Sequence, residues 1–490
     1  MKNTITALLT VLALIILNIT FNVSNSPAQW QPDVRLTNAP DSSRLSYNNG
    51  KCLASNGNYI HVVWYDKRDG NSEIYYKRSS DGGINWGADA RLTNSTDFSF
   101  YPCIAVSGSL LHVAWVETRD GNNEIYYKRS TDAGVNWGAD SRITSDSAIS
   151  TFPSIATVGN FVCIAFSDTR NNGKYEIYSK YSTDTGVNWD LDTRLTYASV
   201  GAYYPSVSIS GSNVHIVWYD NRDGNSEIYY KRSTDGCITW GADTRLTNAL
   251  LNSNWVSSAV LGSNVHIVWY DNRDGNNEIY YKRSTDAGVN WSADTRLTND
   301  PANSVMPNIA LSGSNVHIVW YDYRDGSYAE IYYKLSTDGG NTWSVDTRLT
   351  YDPATTLYPF ITVSNSIVHV AWSDIRDGNM EIYYKRNPTG NPTGISQVNP
   401  EIPKEYKLMQ NYPNPFNPVT KINFDIAKIG FVSIIVYDAL GKEVVTLVNK
   451  VQSAGSYSVD FNASYLSGGV YFCRMQSAGF TDVIKLVLLK

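Results

Sequence analysis

Cysteine is scarce: Cys52, Cys103, Cys163, Cys237 and Cys473 are the five in 490 residues, an odd number without metal-type spacing. They point to neither a disulfide framework nor a zinc site, and read as small buried hydrophobes. Charge is equally thin. Only 18% of residues are charged, the formal net charge is -6, and no block of like charges stands out. This argues against a nucleic-acid footprint and against a membrane-surface patch. Long apolar runs are missing after the first 28 residues. The one such run, "ALLTVLALIIL", follows Lys2 and falls short of the ~20 residues that a membrane span needs. Polar residues ending in "SNSPA" follow, with Ser26 and Ala28 where a signal peptidase prefers small side chains. Residues 1–28 are therefore expected to be a removable export signal, leaving no integral membrane span after cleavage.

What the chain has in abundance is aromatic: 35 Tyr and 14 Trp favour β structure with large packed side chains. These residues keep time. Trp64, Trp115, Phe166, Trp218, Trp269, Trp320 and Trp372 lie 51, 51, 52, 51, 51 and 52 residues apart, which makes seven units. Each unit reads as four short strands, in the fourth "PSVSIS", "NVHIVWYD", "EIYYKRS" and "DTRLT". Four antiparallel strands in about 50 residues is the blade of a β-propeller, whose radial stacking buries both faces of each small sheet. No helical period competes. The seventh unit stops at Arg386 without a fourth strand, and "WQPDVRLT" at 30–37 matches "WGADARLT" at 86–93. The expected fold is all-β, a seven-bladed propeller over 29–387 closed by the amino-terminal strand, which leaves no long unpaired edge.

Between third and fourth strands the pattern S-x-D-x-G-x-x-W recurs, as in "RSTDAGVNWGADSRIT" at 129–144. Its aspartates are Asp81, Asp132, Asp184, Asp235, Asp286 and Asp338; the fourth copy departs, with Cys237 at the glycine position. The pattern resembles the Asp box, or BNR repeat, of sialidase-type propellers. There it is a turn on the side away from the active site, and Asp and Ser bonding the turn backbone, Gly at positive φ and Trp plugging the sheet give it a structural role. The resemblance does not carry activity with it. Sialidases resemble one another in six blades, an Arg-Ile-Pro motif, two further carboxylate-clamping arginines, a Tyr-Glu nucleophile pair and an aspartic acid/base. Here the unit count is seven, Arg-Ile-Pro is absent, and nothing maps residue by residue.

Recurrence also marks the other chemical candidates as architecture. His61, His112, His215, His266, His317 and His369 occupy one slot on the second strand, filled by Cys163 in the third unit. They read as packed strand residues rather than general bases or metal ligands. Arg68, Arg119, Arg170, Arg222, Arg273, Arg324 and Arg376 recur in the turn after that strand, each followed by a glutamate, Glu73 to Glu381, five or six residues on. Arg's fork is expected to hold a carboxylate across the hairpin or between blades. The same loops, such as "DNRDGNSE" at 220–227, offer oxygens for Ca²⁺, the one cofactor raised, although Arg sits inside the would-be cage. No other cofactor and no metal site is expected.

Function is sought where the repeat varies. The slot before the innermost strand holds Gly50, Tyr101, Phe152, Tyr204, Trp255, Met306 and Tyr358. Its five aromatics, Tyr101, Phe152, Tyr204, Trp255 and Tyr358, are expected to rim the axial mouth and to stack on sugar rings or grip a peptide; packing against neighbouring blades is the competing role. Trp255 is singled out because it alone of the tryptophans lies outside the repeat pattern.

After the propeller, "NPTGNPTGISQVNPEIP" reads as a linker, placed at 388–403. Three stretches, "YKLMQNYPNPFNPVTKINFDI", "VSIIVYDALGKEVVTLV" and "AGSYSVDFNASYLSGGVYFCRM", alternate as a small β-sandwich would. Their Tyr-Pro-Asn-Pro-Phe-Asn-Pro opening, Tyr-Asp-x-Leu-Gly-x-Glu-Val segment and Gly-Val-Tyr-Phe ending closely resemble the type A sorting domain of type IX secretion, over 404–490. The resemblance implies the type IX translocon and sorting machinery as partners, and a location outside the cell or on its surface. The expected protein is thus an exported propeller binding a carbohydrate or protein ligand through its top face, with enzymatic activity undecided and leaning to none. A sialidase-like glycoside hydrolase, which would need paired carboxylates or a Glu-assisted Tyr, is the alternative, and a structural or adhesive surface protein a further one.

Overall fold

The computed structural model describes residues 30–489 apart from 198–199, 389–395, 400–402, 418, 429, 453 and 464–465. The expected export signal, 1–28, lies outside the described residues. Among the described residues every regular element is a β-strand.

Seven consecutive antiparallel sheets follow one another, blades 1 to 7. Blade 4 shows the plan: inner strand Ala202–Ser210, second strand Asn213–Asp220, third strand Glu227–Ser233 and outer strand Thr244–Arg245. Second strands are apolar almost throughout because both of their faces meet a neighbouring blade, so simple alternation gives way to continuous burial. The second-strand tryptophans Trp64, Trp115, Trp218, Trp269, Trp320 and Trp372 are all fully buried. Each also hands its indole N–H to a carboxylate at the strand's end, as Trp320 Nε1 does to Asp322 Oδ2 at 2.9 Å.

The Asp-box turns explain their own composition. In blade 2, Asp132 Oδ1 accepts from the amides of Val135 and Asn136 at 3.1 and 2.9 Å, and Ser130 Oγ accepts from Gly134 N at 2.9 Å. Gly134 has φ +79°, and a Cβ there would lie 1.9 Å from the hydroxyl of Tyr76 in blade 1. Only glycine fits on both counts. The box tryptophan then packs edge-on against that same tyrosine, Trp137 on Tyr76 at 5.0 Å between centroids. In blades 1, 2, 3, 5 and 6 the box therefore ties its blade to the preceding one.

The ring closes as expected from the sequence. Val34–Arg35 pairs with Glu381–Asn387, Val34 opposite Tyr384 and Arg35 opposite Tyr383, as the outer strand of blade 7. Asp33 receives Arg376 at 2.9 Å, and Trp30 packs on Tyr333 of blade 6 as Trp86, Trp137, Trp189, Trp291 and Trp343 do on their neighbours.

Two four-stranded sheets with a separate core form the C-terminal part. Phe416 of the Tyr-Pro-Asn-Pro-Phe-Asn-Pro stretch is buried there beside Phe461. One element departs from expectation. Ser396–Asn399, inside the stretch read as linker, is an edge strand pairing with Gly455–Asn462. Its polar, Pro- and Gly-flanked composition resembles a linker because an edge strand needs a hydrogen-bonding partner on one side only.

Candidate functional site

The inner strands carry the most unusual backbone in the molecule. In blades 2 to 7 each has a bulge near its start, between Tyr203 and Ser206 in blade 4 for example. The first bulged residue is left-handed: Tyr101, Phe152, Tyr204, Trp255, Met306 and Tyr358 have φ between +48° and +55°. Non-glycine residues hold such angles at a cost of about 1 kcal/mol or more each, and five of the six also precede proline, which narrows their options further. Strain repeated six times shows that the fold turns these side chains deliberately out of the strand. The turned side chains meet. Tyr101 stacks on Phe152, Phe152 on Tyr204 and Tyr204 on Trp255, with centroids 5.7, 4.1 and 5.1 Å apart. All five aromatics named from the sequence thus lie around one axial mouth, half-buried. They sit at the strand ends that carry the Arg-containing turns, opposite the Asp boxes, whose backbone bonds to the first turn of each blade, as in Gly236 N to Ser212 O at 3.0 Å.

Blade 1 breaks the pattern. Its inner strand is split into Ser43–Arg44 and Leu53–Asn56, both paired with Tyr59–Asp66, and residues 45–52 leave the sheet between them. This excursion plugs the axial tunnel. Asn48 Nδ2 donates to Pro153 O of blade 3 at 3.1 Å, Asn49 Nδ2 to Tyr204 O of blade 4 at 2.6 Å, and Lys51 Nζ to Ile309 O of blade 6 at 3.2 Å. Trp255 Nε1 of blade 5 donates to Tyr47 O at 3.0 Å. Gly50 passes so close to the wall that a Cβ would stand 2.4 Å from Pro153 O. A cavity of about 20 Å³ lies between the plug and blades 5 to 7. Tyr47 of the plug completes the circle, 4.5 Å from Tyr101 and 6.3 Å from Tyr358.

Trp255, outside the sequence repeat, therefore has a packing slot after all. It lies between Tyr204 and Tyr270 and anchors the plug. The plug itself was missed from the sequence although a signal exists. Trp30 to Trp64 spans 34 residues where every other box-to-strand interval, such as Trp86 to Trp115, spans 29.

Beside the plugged mouth, between blades 1 and 2, opens a cleft of about 520 Å³. Tyr47, Tyr65, Phe98, Phe100 and Tyr101 supply rings, and Arg44, Lys67 and Asp41 supply charge. Phe98 is 52% exposed, unusual for its type and suited to receiving an apolar face. Burial raises Tyr65 to about 12 and also pushes Tyr204, Tyr270 and Tyr358 upward, so these phenols stay protonated near neutral pH. Arg44 adjoins Tyr65 and works against that rise. Lys51 keeps some accessible surface, yet dense protein surrounds its amine and lowers it to about 8.

The recurring arginines pair differently from expectation. Arg222 does not hold Glu227; its Nη2 and Nη1 donate to Asp220 and Asp243 at 2.5 and 2.7 Å, and its guanidinium lies 4.4 Å above the Tyr229 ring. Glu227 instead takes Arg245 of the outer strand and Thr247. The outer strand brings a second arginine and a third acid into range, which spacing within one hairpin does not reveal. In the 220–227 loop Asp220 is committed to Arg222 and Asp223 to Tyr229 and Arg245. Among the described residues no group of three His, Cys, Asp or Glu converges as a metal ion requires. The six histidines each place Nδ1 2.6 to 2.7 Å from a third-strand tyrosine hydroxyl, deep between blades and remote from the mouth.

Comparison with known proteins fits this geometry. Residues 410–489 match the secretion system C-terminal sorting domain, and residues 102–272 match the BNR repeat-like domain. The chain thus carries a BNR repeat-like segment within its propeller, and a sorting tail that directs export by type IX secretion to the cell surface or the extracellular space. A curated sialidase of Paraclostridium sordellii is 27% identical over 241 residues, covering 41% of this chain. The chain spans 57% of that relative's length. Among solved structures, an ulvan lyase of a new polysaccharide lyase family aligns over 72% of this chain and 95% of its own, with TM-score 0.51 and 11% identity. A Hadza microbial sialidase aligns over 57% and 63% respectively, with TM-score 0.42 and 16% identity.

Proposed function

We propose that this exported propeller is a carbohydrate-binding protein whose ligand lies in the cleft between blades 1 and 2, across the plugged mouth. The observation that carries the reading is the convergence of five aromatic rings with Arg44 and Lys67 in one open cleft. Sugar rings present C–H faces that stack on aromatic faces, while their hydroxyls and any acidic substituent need donors at the edge. Arg44 and Lys67 favour an acidic sugar, and the plug across the tunnel favours a glycan lying over the mouth rather than threading it.

The supporting experiment is a glycan panel probed with the secreted protein. Tyr101→Ala and Arg44→Gln should each weaken the best ligand by about tenfold or more, on the order of 1.4 kcal/mol, with circular dichroism unchanged. Trp255→Ala should abolish binding by releasing the plug as well as a ring. A panel in which nothing binds, with the fold intact, would replace this reading by the adhesive or protein-partner one.

A sialidase-like hydrolase is the second reading, favoured by the Paraclostridium relative. Hydrolysis of that kind uses two acids, or a tyrosine assisted by glutamate. The cleft lining offers Asp41 as its one carboxylate, and burial holds Tyr47 and Tyr65 protonated. Turnover of a fluorogenic sialoside, lost on substituting one carboxylate of this face, would establish that reading instead.

A further inference from the structure

One blade interface is built unlike the others. In blades 1, 2, 4, 5, 6 and 7 the second-strand histidine bonds a third-strand tyrosine, as His215 does Tyr230 at 2.7 Å. Where a box follows in the next blade, that tyrosine's hydroxyl fills the space left by the box glycine, as Tyr230 does at Gly288. An arginine beside it commonly reaches the next blade's backbone, as Arg232 Nη1 does Ala287 O at 2.7 Å. Blade 3 has lost all three polar groups: Cys163 stands for the histidine, Ser179 for the tyrosine and Tyr181 for the arginine. The box of blade 4 has changed with them, carrying Cys237 at φ +71° where the others carry glycine. Four departures scattered over 74 residues of chain thus meet in one place, and what they create is a pair of facing thiols. The Cys163 and Cys237 sulfurs are 3.6 Å apart, and the two residues are 0% and 2% exposed.

We propose that Cys163 and Cys237 are oxidised to an inter-blade disulfide in the exported protein, a covalent tie in place of the His–Tyr–backbone tie of the other interfaces. Sulfurs already in contact need close only to about 2.05 Å, within reach of side-chain rotation and a small shift of the turn. The sorting tail takes the chain out of the reducing cytoplasm, and disulfides persist in the compartments beyond it. In the reaction both S–H bonds break and one S–S bond forms. The two electrons and, by way of solvent, the two protons pass to a dithiol–disulfide oxidant of that compartment, whose own S–S bond breaks to give two thiols. The contact with the Cys163 thiol, together with burial, pushes the Cys237 thiol upward once the blades have docked, so thiolate attack belongs to the folding chain. The remaining cysteines are placed otherwise: Cys52 donates to Pro102 O at 3.2 Å, Cys103 to Ala114 O at 3.6 Å, and Cys473 is in the separate sandwich core.

The test is alkylation of the secreted full chain under denaturing, non-reducing conditions, followed by peptide mapping. The expected result is three alkylated cysteines and one crosslinked peptide pair containing residues 163 and 237, which separates on reduction. Dithiothreitol should lower the melting temperature of the native chain and leave that of Cys163→Ala unchanged; should that variant fail to fold, the peptide map of the native chain decides alone. Five alkylated cysteines, or a crosslink between any other pair, would overturn the proposal.

Discussion

At the scale of the residue, the six buried histidines give the propeller a measurable acid sensitivity. Burial lowers His112, His215, His266 and His317 to about 4 and His61 and His369 to about 3, so the folded state keeps them neutral where the unfolded chain is protonated. The unfolded state then binds more protons, and stability falls as pH drops from about 6.5 toward 4, by at most roughly 1.4 kcal/mol per histidine per pH unit. A second loss follows between about pH 4 and 2. There the Asp-box carboxylates, held at about 2 by turn amides and side chains in Asp132, Asp184, Asp235 and Asp286, lose the hydrogen bonds they accept as anions. Thermal melts across pH 7 to 2 should show both steps, and His215→Gln should reduce the first without altering the second. A melting temperature flat from pH 7 to 4 would contradict the buried, neutral state. Gly134→Ala should cost about 2 kcal/mol or more in denaturant unfolding, since the methyl group meets both a left-handed backbone and the Tyr76 hydroxyl.

At the scale of the element, the plug is the feature that turns a symmetric ring into an asymmetric site. Six blades turn out one side chain through a bulge; blade 1 spends five more residues and sends a segment across the tunnel. Shortening 45–52 by five residues, to restore the common spacing, should leave a cooperatively melting ring, because the other blades close on the shorter form. It should also remove Tyr47 and the cleft wall, and with them glycan binding. Retained affinity would show that the plug does not shape the ligand site. The Arg-containing turns belong to this scale too. Their acids are occupied by arginines, so adding calcium or EDTA is expected to leave the melting temperature unchanged, and a calcium-dependent rise would place an ion in those loops.

At the scale of the whole molecule, closure by residues 30–37 makes seven sheets one cooperative unit. Deleting that strand would strand Asp33's partners Arg376 and Lys385 and uncover Tyr333. The expected outcome is a broad, early melt and rapid proteolysis of blade 7, against a single sharp transition in the intact chain. Much of this was legible beforehand. The seven-unit count, the donated strand and the Asp-box turns follow from the spacing of Trp, Asp and Gly, because each blade must repeat the same local packing to stack on its neighbour. The aromatic mouth was legible as a slot, but not its left-handed backbone or its partners. Arg222 had three acids in reach and register alone selected two. Cys163, Ser179 and Cys237 looked like unrelated lapses in the repeat until packing joined them. The sequence by itself determined the architecture and the export route, since both are written in local patterns that any one segment carries. Tertiary structure alone decided what fills the axis, which rings adjoin the cleft and which thiols face each other. Those contacts join Tyr47 with Trp255 and Cys163 with Cys237, residues of different blades whose distance depends on closing the ring and on nothing in their own neighbourhoods.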